Sequence, residues 1–166
     1  MFQNISCSAN QHNGNNNVRD SCLVVELLDL DTINESDDES CSKYYFTDLS
    51  EANNAVSANI TSKYDSSHAN SNTDQLQQLI CNLKLSNSNV FIGMCNGWQE
   101  MICDTNQEPQ RIWIELCVMR LKDVSTDMLI TWTIPILDSA ATSDQYHVSF
   151  MNILSTLRVN DWSLFA

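Results

Sequence analysis

Arg111-Ile112-Trp113-Ile114-Glu115-Leu116-Cys117-Val118-Met119-Arg120-Leu121 is the stretch on which the fold turns. Ile112, Ile114, Leu116 and Val118 alternate with Trp113, Glu115, Cys117 and Met119. A period of two marks a β-strand, and a strand apolar on both sides must be covered on both. A central strand with layers above and below it is therefore expected.

Outward from that strand, residues 90–95, 100–103 and 128–135 have the apolar and β-branched composition of three more strands. Pro135 closes the last of them, and the polar run 122–127 is expected to turn between the third and the fourth. The paired valines of Cys22-Leu23-Val24-Val25-Glu26-Leu27-Leu28-Asp29-Leu30 favour a further strand, although a helix is open for so short an apolar run. Helical spacing is read over 41–52, where Tyr44, Tyr45, Phe46 and Leu49 can share one broad face, behind the helix-favouring acids Asp37, Asp38 and Glu39. It recurs over 75–83, with Leu76, Leu79, Ile80 and Leu83 behind an Asp74 cap. A last helix carries Tyr146, Phe150, Ile153 and Leu157 from a cap near Ser143 or Asp144. Asn/Ser-rich stretches at about 8–19 and 53–73 are expected as polar loops of a single domain spanning 1–166. An antiparallel sheet flanked by helices, an α/β sandwich, follows.

Composition narrows the function. Aspartate and glutamate number 21 against 8 lysines and arginines, a net charge of −13. Such a chain repels nucleic acid and anionic membranes, since binding either requires cations on the protein. It attracts basic protein surfaces instead. No stretch is apolar for the roughly 18 residues that a membrane span needs. With no secretory signal to read, the seven cysteines are expected as reduced thiols in cytosol or nucleus, Cys95, Cys103 and Cys117 as buried apolar groups.

Enzymatic parts are hard to assemble. His12, His68 and His147 are the only histidines, no motif frames a cysteine as nucleophile, and no Cys-x-x-Cys or His-x-x-x-His pair offers a zinc site. With Gly14, Gly93 and Gly97 the only glycines, a phosphate loop has no material. A binding protein without cofactor or metal is expected. Between Arg19 and Lys43 no basic residue interrupts eight acids, among them Glu26 and Asp29 within an apolar element. Acids placed there must reach solvent or a partner, because burying them unpaired is costly. The acids do not follow the order of an EF-hand loop, and the plainest reading of most of them is a solvated loop.

Three blocks resemble the Ran guanine nucleotide release factor family. The first is Asp20-Ser21-Cys22-Leu23-Val24-Val25-Glu26-Leu27-Leu28-Asp29, with Lys43-Tyr44-Tyr45-Phe46-Thr47-Asp48-Leu49 after a loop. The second is Met119-Arg120-Leu121-Lys122 followed by Ser125-Thr126-Asp127-Met128-Leu129-Ile130 and Pro135. The third runs from Phe150 to Leu157 and into Asn160-Asp161-Trp162-Ser163-Leu164-Phe165. The resemblance covers most of 18–52 and 97–166. It implies a PsbP-like α/β/α sandwich with a central, mainly antiparallel sheet. It also implies binding of the GTPase Ran, release of its guanine nucleotide, support of nuclear protein import, and residence in nucleus and cytoplasm. Glu26 and Asp29 would correspond to Ran-contacting acids, with Asp31 added by proximity. A loop of a cardiac sodium channel is a second partner the resemblance implies; an adaptor acting in channel trafficking without Ran activity is the alternative function. Family members carry a Gly-Gly-Ala segment and a Pro-Asp-x-Gln-Glu-Val stretch before the equivalent of Phe2, and this chain starts at about the end of that stretch, so either it is truncated or it folds with a gap there. A monomer is expected, with an apolar or aromatic anchor in its contact surface for which Trp98, Trp113, Trp132 and Trp162 are candidates, Trp113 and Trp132 being assigned to the core.

Overall fold

The computed structural model describes residues 21–30, 38–65, 79, 81, 83, 89–102, 109–136 and 143–161. Among these described residues five strands, β1 (Cys22–Asp29), β2 (Ser57–Asp65), β3 (Val90–Met101), β4 (Gln110–Leu121) and β5 (Thr126–Pro135), form one sheet in the order β1-β5-β4-β3-β2, with β1 and β2 at its edges. Every neighbouring pair is antiparallel. Helix α1 (Cys41–Ala52) lies on one face and helix α2 (Ser143–Ser155) on the other. The α/β sandwich with an antiparallel sheet is thus the architecture observed.

β4 shows why. From Ile112 to Leu121 every residue is buried. Ile112, Ile114, Leu116 and Val118 join Cys41, Tyr45, Phe46, Phe91, Cys95 and Leu129 in the core beneath α1. Cys117, Met119 and Leu121 point the opposite way, into a second core with Ile92, Met94, Met128, Ile130, Phe150, Met151 and Leu154. Leu79 and Leu83 are buried in that second core, and the Leu83 amide donates to the Leu79 carbonyl at 3.0 Å, the four-residue spacing of a helix. The other residues of the expected 75–83 helix, Cys81 apart, lie outside the described residues.

Several expectations are corrected. Residues 90–95 and 100–103 do not form separate strands: β3 runs unbroken to Met101, with Asn96 paired to Glu115 and Gly97 to Ile114. Asn96-Gly97 is buried mid-strand. Gly97 is there because a Cβ on it would stand 2.1 Å from the Asn59 carbonyl oxygen and 2.9 Å from the Ile60 Cα of β2. At that point β2 carries a bulge, the register moving from Ile60 opposite Gly97 to Ser62 opposite Asn96. β2 itself replaces much of the loop expected at 53–73. It is an edge strand, so Ile60 and Tyr64 suffice to tie it to the two cores while its other side chains, Ala58 apart, are polar.

The expected turn at 122–127 is also shorter. A 3-10 turn covers Lys122–Val124, Ser125 adopts the left-handed conformation (φ 48°, ψ 44°), and Thr126 and Asp127 already belong to β5. In α1, Tyr45 and Phe46 are buried and Leu49 half-buried, but Tyr44 does not share their face and is 45% exposed. Leu157 falls beyond the end of α2, though it still packs against the core.

The environment of Gly97 makes a prediction about stability. Gly97→Ala is expected to destabilise the fold by about 3 kcal/mol or more, because the added methyl meets rigid backbone. Gly93→Ala meets side chains instead, Phe91 Cε1 at 3.0 Å and Cys41 Sγ at 3.1 Å. Its cost should be nearer 1 kcal/mol. Urea unfolding of both variants checks the order.

Candidate partner-binding site

The two acids singled out by sequence sit on the edge strand β1. Glu26 pairs with Leu129 and is half-buried, whereas Asp29 pairs with Thr126 at the strand end and is exposed. Residues three apart on a strand point to opposite sides of a sheet. Leu28 packs into the core beneath α1 and Leu23 and Val25 into the core beneath α2. Glu26 therefore lies on the α1 side of the sheet and Asp29 on the α2 side. The structure brings them to one rim but not to one face. Asp31 lies outside the described residues.

Beside Glu26, on the α1 side, runs a polar network that sequence reading did not find. Arg120 of β4 has no solvent exposure, nor has Asp127, its register partner on β5. The guanidinium donates from Nε to Asp127 Oδ1 and from Nη2 to Asp127 Oδ2, both at 3.3 Å. Tyr45 of α1 donates its hydroxyl to Asp127 Oδ2 at 2.7 Å. Asp38, at the head of the Asp38–Ser40 turn before α1, accepts from Arg120 Nη1 at 3.3 Å and from Lys122 Nζ at 2.7 Å. Asp38 thus serves as an ion-pair partner rather than only as a helix-dipole acid. Burial by itself would lower the affinity of Arg120 for its proton, but the hydrogen bonds and charge of Asp127 outweigh it and raise it further. Burial also pushes the Tyr45 phenol well above its ordinary range, helped by its bond to anionic Asp127. The signal that could have found this cluster was an arginine inside an apolar strand, which demands a buried counterion.

A second buried charge occupies the α2 side. Glu115 of β4, 1% exposed, accepts from Trp113 Nε1 at 2.8 Å and from Asn96 Nδ2 at 3.4 Å. His147 of α2 places Nδ1 3.2 Å from Glu115 Oε2, the oxygen that also accepts from Asn96, and stacks on Tyr64 with ring centroids 4.7 Å apart. His147 thus meets a carboxylate. Cys41 and Cys95 are buried on the far side of the sheet. Burial raises the Cys41 and Cys95 thiols from the ordinary 9.0 to about 12, and raises Cys117 further still. These are protonated, unreactive groups. Cys103, expected to be buried, lies outside the described residues, as do His12 and His68. No group of three metal-ligating side chains occurs among the described residues. No helix there is long and apolar enough to cross a membrane.

The tryptophans give no exposed anchor among the described residues. Trp113 is buried as expected, Trp132 stacks on Phe150, and Trp98 lies under the Arg111 guanidinium at 4.4 Å. Trp162 lies outside the described residues.

The described residues thus form a two-faced antiparallel sandwich of the α/β class whose β1 rim carries an acid on either side. The family described as Mog1, the Ran-interacting Mog1 protein, matches residues 9–135. The chain belongs to that family. Among solved structures, a mutant of the protein Mog1 aligns at 17% identity with a TM-score of 0.52, over 88% of this chain and 71% of that one. The Ran-binding protein Mog1p of Saccharomyces cerevisiae aligns at 15% identity with a TM-score of 0.42, over 79% of this chain and 56% of that one. None of the curated protein sequences matches.

Two predictions follow from the buried groups. Asp127→Ala strands the Arg120 guanidinium and should cost about 3–5 kcal/mol. Lys122→Ala removes only an exposed pair and should cost less than about 1 kcal/mol. Chemical denaturation of each variant measures both. The thiols set an alkaline limit. Unfolded, Cys41 and Cys95 ionise near 9.0, but folded they hold their protons to about 12. Above the lower value the unfolded chain binds fewer protons, so stability is intact below pH 9.0 and falls as pH rises towards about 12. Each thiol contributes a slope of about 1.4 kcal/mol per pH unit in that window. A Cys95→Ala variant should show a shallower decline in denaturation midpoints taken across it.

Proposed function

We propose that this chain binds the GTPase Ran through the rim formed by β1 and accelerates release of its guanine nucleotide, supporting nuclear protein import from nucleus and cytoplasm. The observation that carries the reading is the family match over 9–135 on a chain whose edge strand displays Glu26 and Asp29. A partner that prefers nucleotide-free Ran must weaken nucleotide binding by the same factor, so differential affinity is sufficient and no catalytic group is required. The surplus of acid over base, −13 in all, favours encounter with a basic surface on Ran.

Because Glu26 and Asp29 face opposite sides of the sheet, Ran has to meet the strand edge-on to touch both. A charge at such a rim contributes about 0–1 kcal/mol, and reversing it adds repulsion of similar size, so reversing one should weaken the effect and reversing both should remove it. The test is release of a fluorescent guanine nucleotide from purified Ran. The unchanged chain should speed release; Glu26→Lys and Asp29→Lys should each reduce that acceleration about three- to tenfold, and the double variant should abolish it. A folded chain that leaves the release rate unchanged refutes the reading and favours an adaptor role on another face.

A further inference from the structure

We infer that Leu27, the residue beside Glu26 on the edge strand, is the apolar anchor of the Ran contact, an inference that rests on the Ran reading above. Acids alone steer a partner but hold it weakly; a lasting contact needs a desolvated apolar centre. None of the described tryptophans offers one, since Trp113 is buried and Trp98 and Trp132 are half-covered by Arg111 and Phe150.

Leu27 does. Leu23, Val25 and Leu27 form the α2-side row of β1. The first two pack into the core, but Leu27, opposite buried Met128, remains 42% exposed. Four other large apolar side chains among the described residues are more exposed still: Tyr44, Val56, Ile102 and Val148. Single exposed leucines are common and by themselves mean little. What distinguishes this one is its place: it follows Glu26 directly and shares its side of the strand with Asp29. Any body that meets both acids edge-on must close over it. Its position is also fixed, because its backbone is held in register by β5 across the whole length of β1, so little chain ordering is required on contact.

The test is a titration of Ran with the full chain, followed by fluorescence anisotropy, with melting temperatures taken in parallel. Leu27→Ala should weaken binding about tenfold and Leu27→Asp more, since burial of the missing methyl groups is lost. Both should melt with the unchanged chain, because the side chain already stands partly in water. Val148→Asp, on α2, should bind as the unchanged chain does. Leu27 variants that fold and bind Ran normally, while the Glu26 and Asp29 reversals lose it, overturn the anchor and leave the Ran reading standing. A loss that follows Tyr44→Ala and not Leu27→Ala overturns it as well. Failure of the unchanged, folded chain to bind Ran removes both.

Discussion

A guanidinium with no access to water must have its countercharge delivered to it, and most of this fold is arranged around that delivery at Arg120. Asp127 faces it across the β4–β5 hairpin, so the pair forms only when the two strands are in register. A slip of one residue would turn Arg120 into the core on the opposite side and leave Asp127 alone. The same carboxylate holds the Tyr45 hydroxyl, and Asp38 reaches Arg120 from just before α1, so the helix is fixed at both its approach and its second turn. β1 is placed by the same hairpin: Leu28 pairs with Asp127, and the Leu30 amide donates to the Ser125 carbonyl at 2.9 Å. The rim that carries Glu26, Leu27 and Asp29 is therefore positioned by a buried ion pair some residues away.

Glu115 balances this on the other side of the same strand. β4 buries one cation towards α1 and one anion towards α2, and each is met by a side chain of the helix that covers it, Tyr45 through Asp127 in one case and His147 in the other. Apolar packing supplies most of the attraction between helix and sheet, but it is non-directional. A hydrogen bond to a buried charge admits one angle and one axial position, so these contacts select the seating of each helix more than they strengthen it. Not every polar atom finds such a contact: Ser42 Oγ and Asn96 Oδ1 are buried with no hydrogen-bond partner among the described residues.

How much of this was legible follows from which side chains carry a period. The central strand, helix α1 over 41–52 and the start of α2 near Ser143 are evident because each carries apolar residues at the period of its own element. β2 is hidden because an edge strand needs few apolar residues, and its bulge at Thr61 breaks the alternation between Ile60 and Tyr64. β3 reads as two segments because Asn96-Gly97-Trp98-Gln99 interrupts its apolar run, Asn96 answering to Glu115 and Gly97 to the approach of β2. Arg120 and Asp127 are visible individually, but only the hairpin register makes them partners. For the rim the arithmetic was available: a spacing of three on a strand puts Glu26 and Asp29 on opposite sides whatever the fold around them.

That separation changes what the acidity of the chain can do. The cations the structure places are largely engaged internally: Arg120 and Lys122 with Asp38 and Asp127, Arg111 with Glu100, and Lys63 with the Glu39 carbonyl. Among the described residues the exposed acids, Asp29, Glu39, Asp48, Glu51, Asp123, Asp144 and Asp161, are spread over the strands, turns and helices rather than gathered in one patch. A diffuse field raises the rate of encounter with a basic partner, and salt within the Debye length of about 8 Å suppresses it. It cannot choose an orientation. Orientation has to come from a feature with a direction, and the sheet rim has one: a strand held rigidly on one side by β5, an acid on either face and an incompletely buried leucine between them.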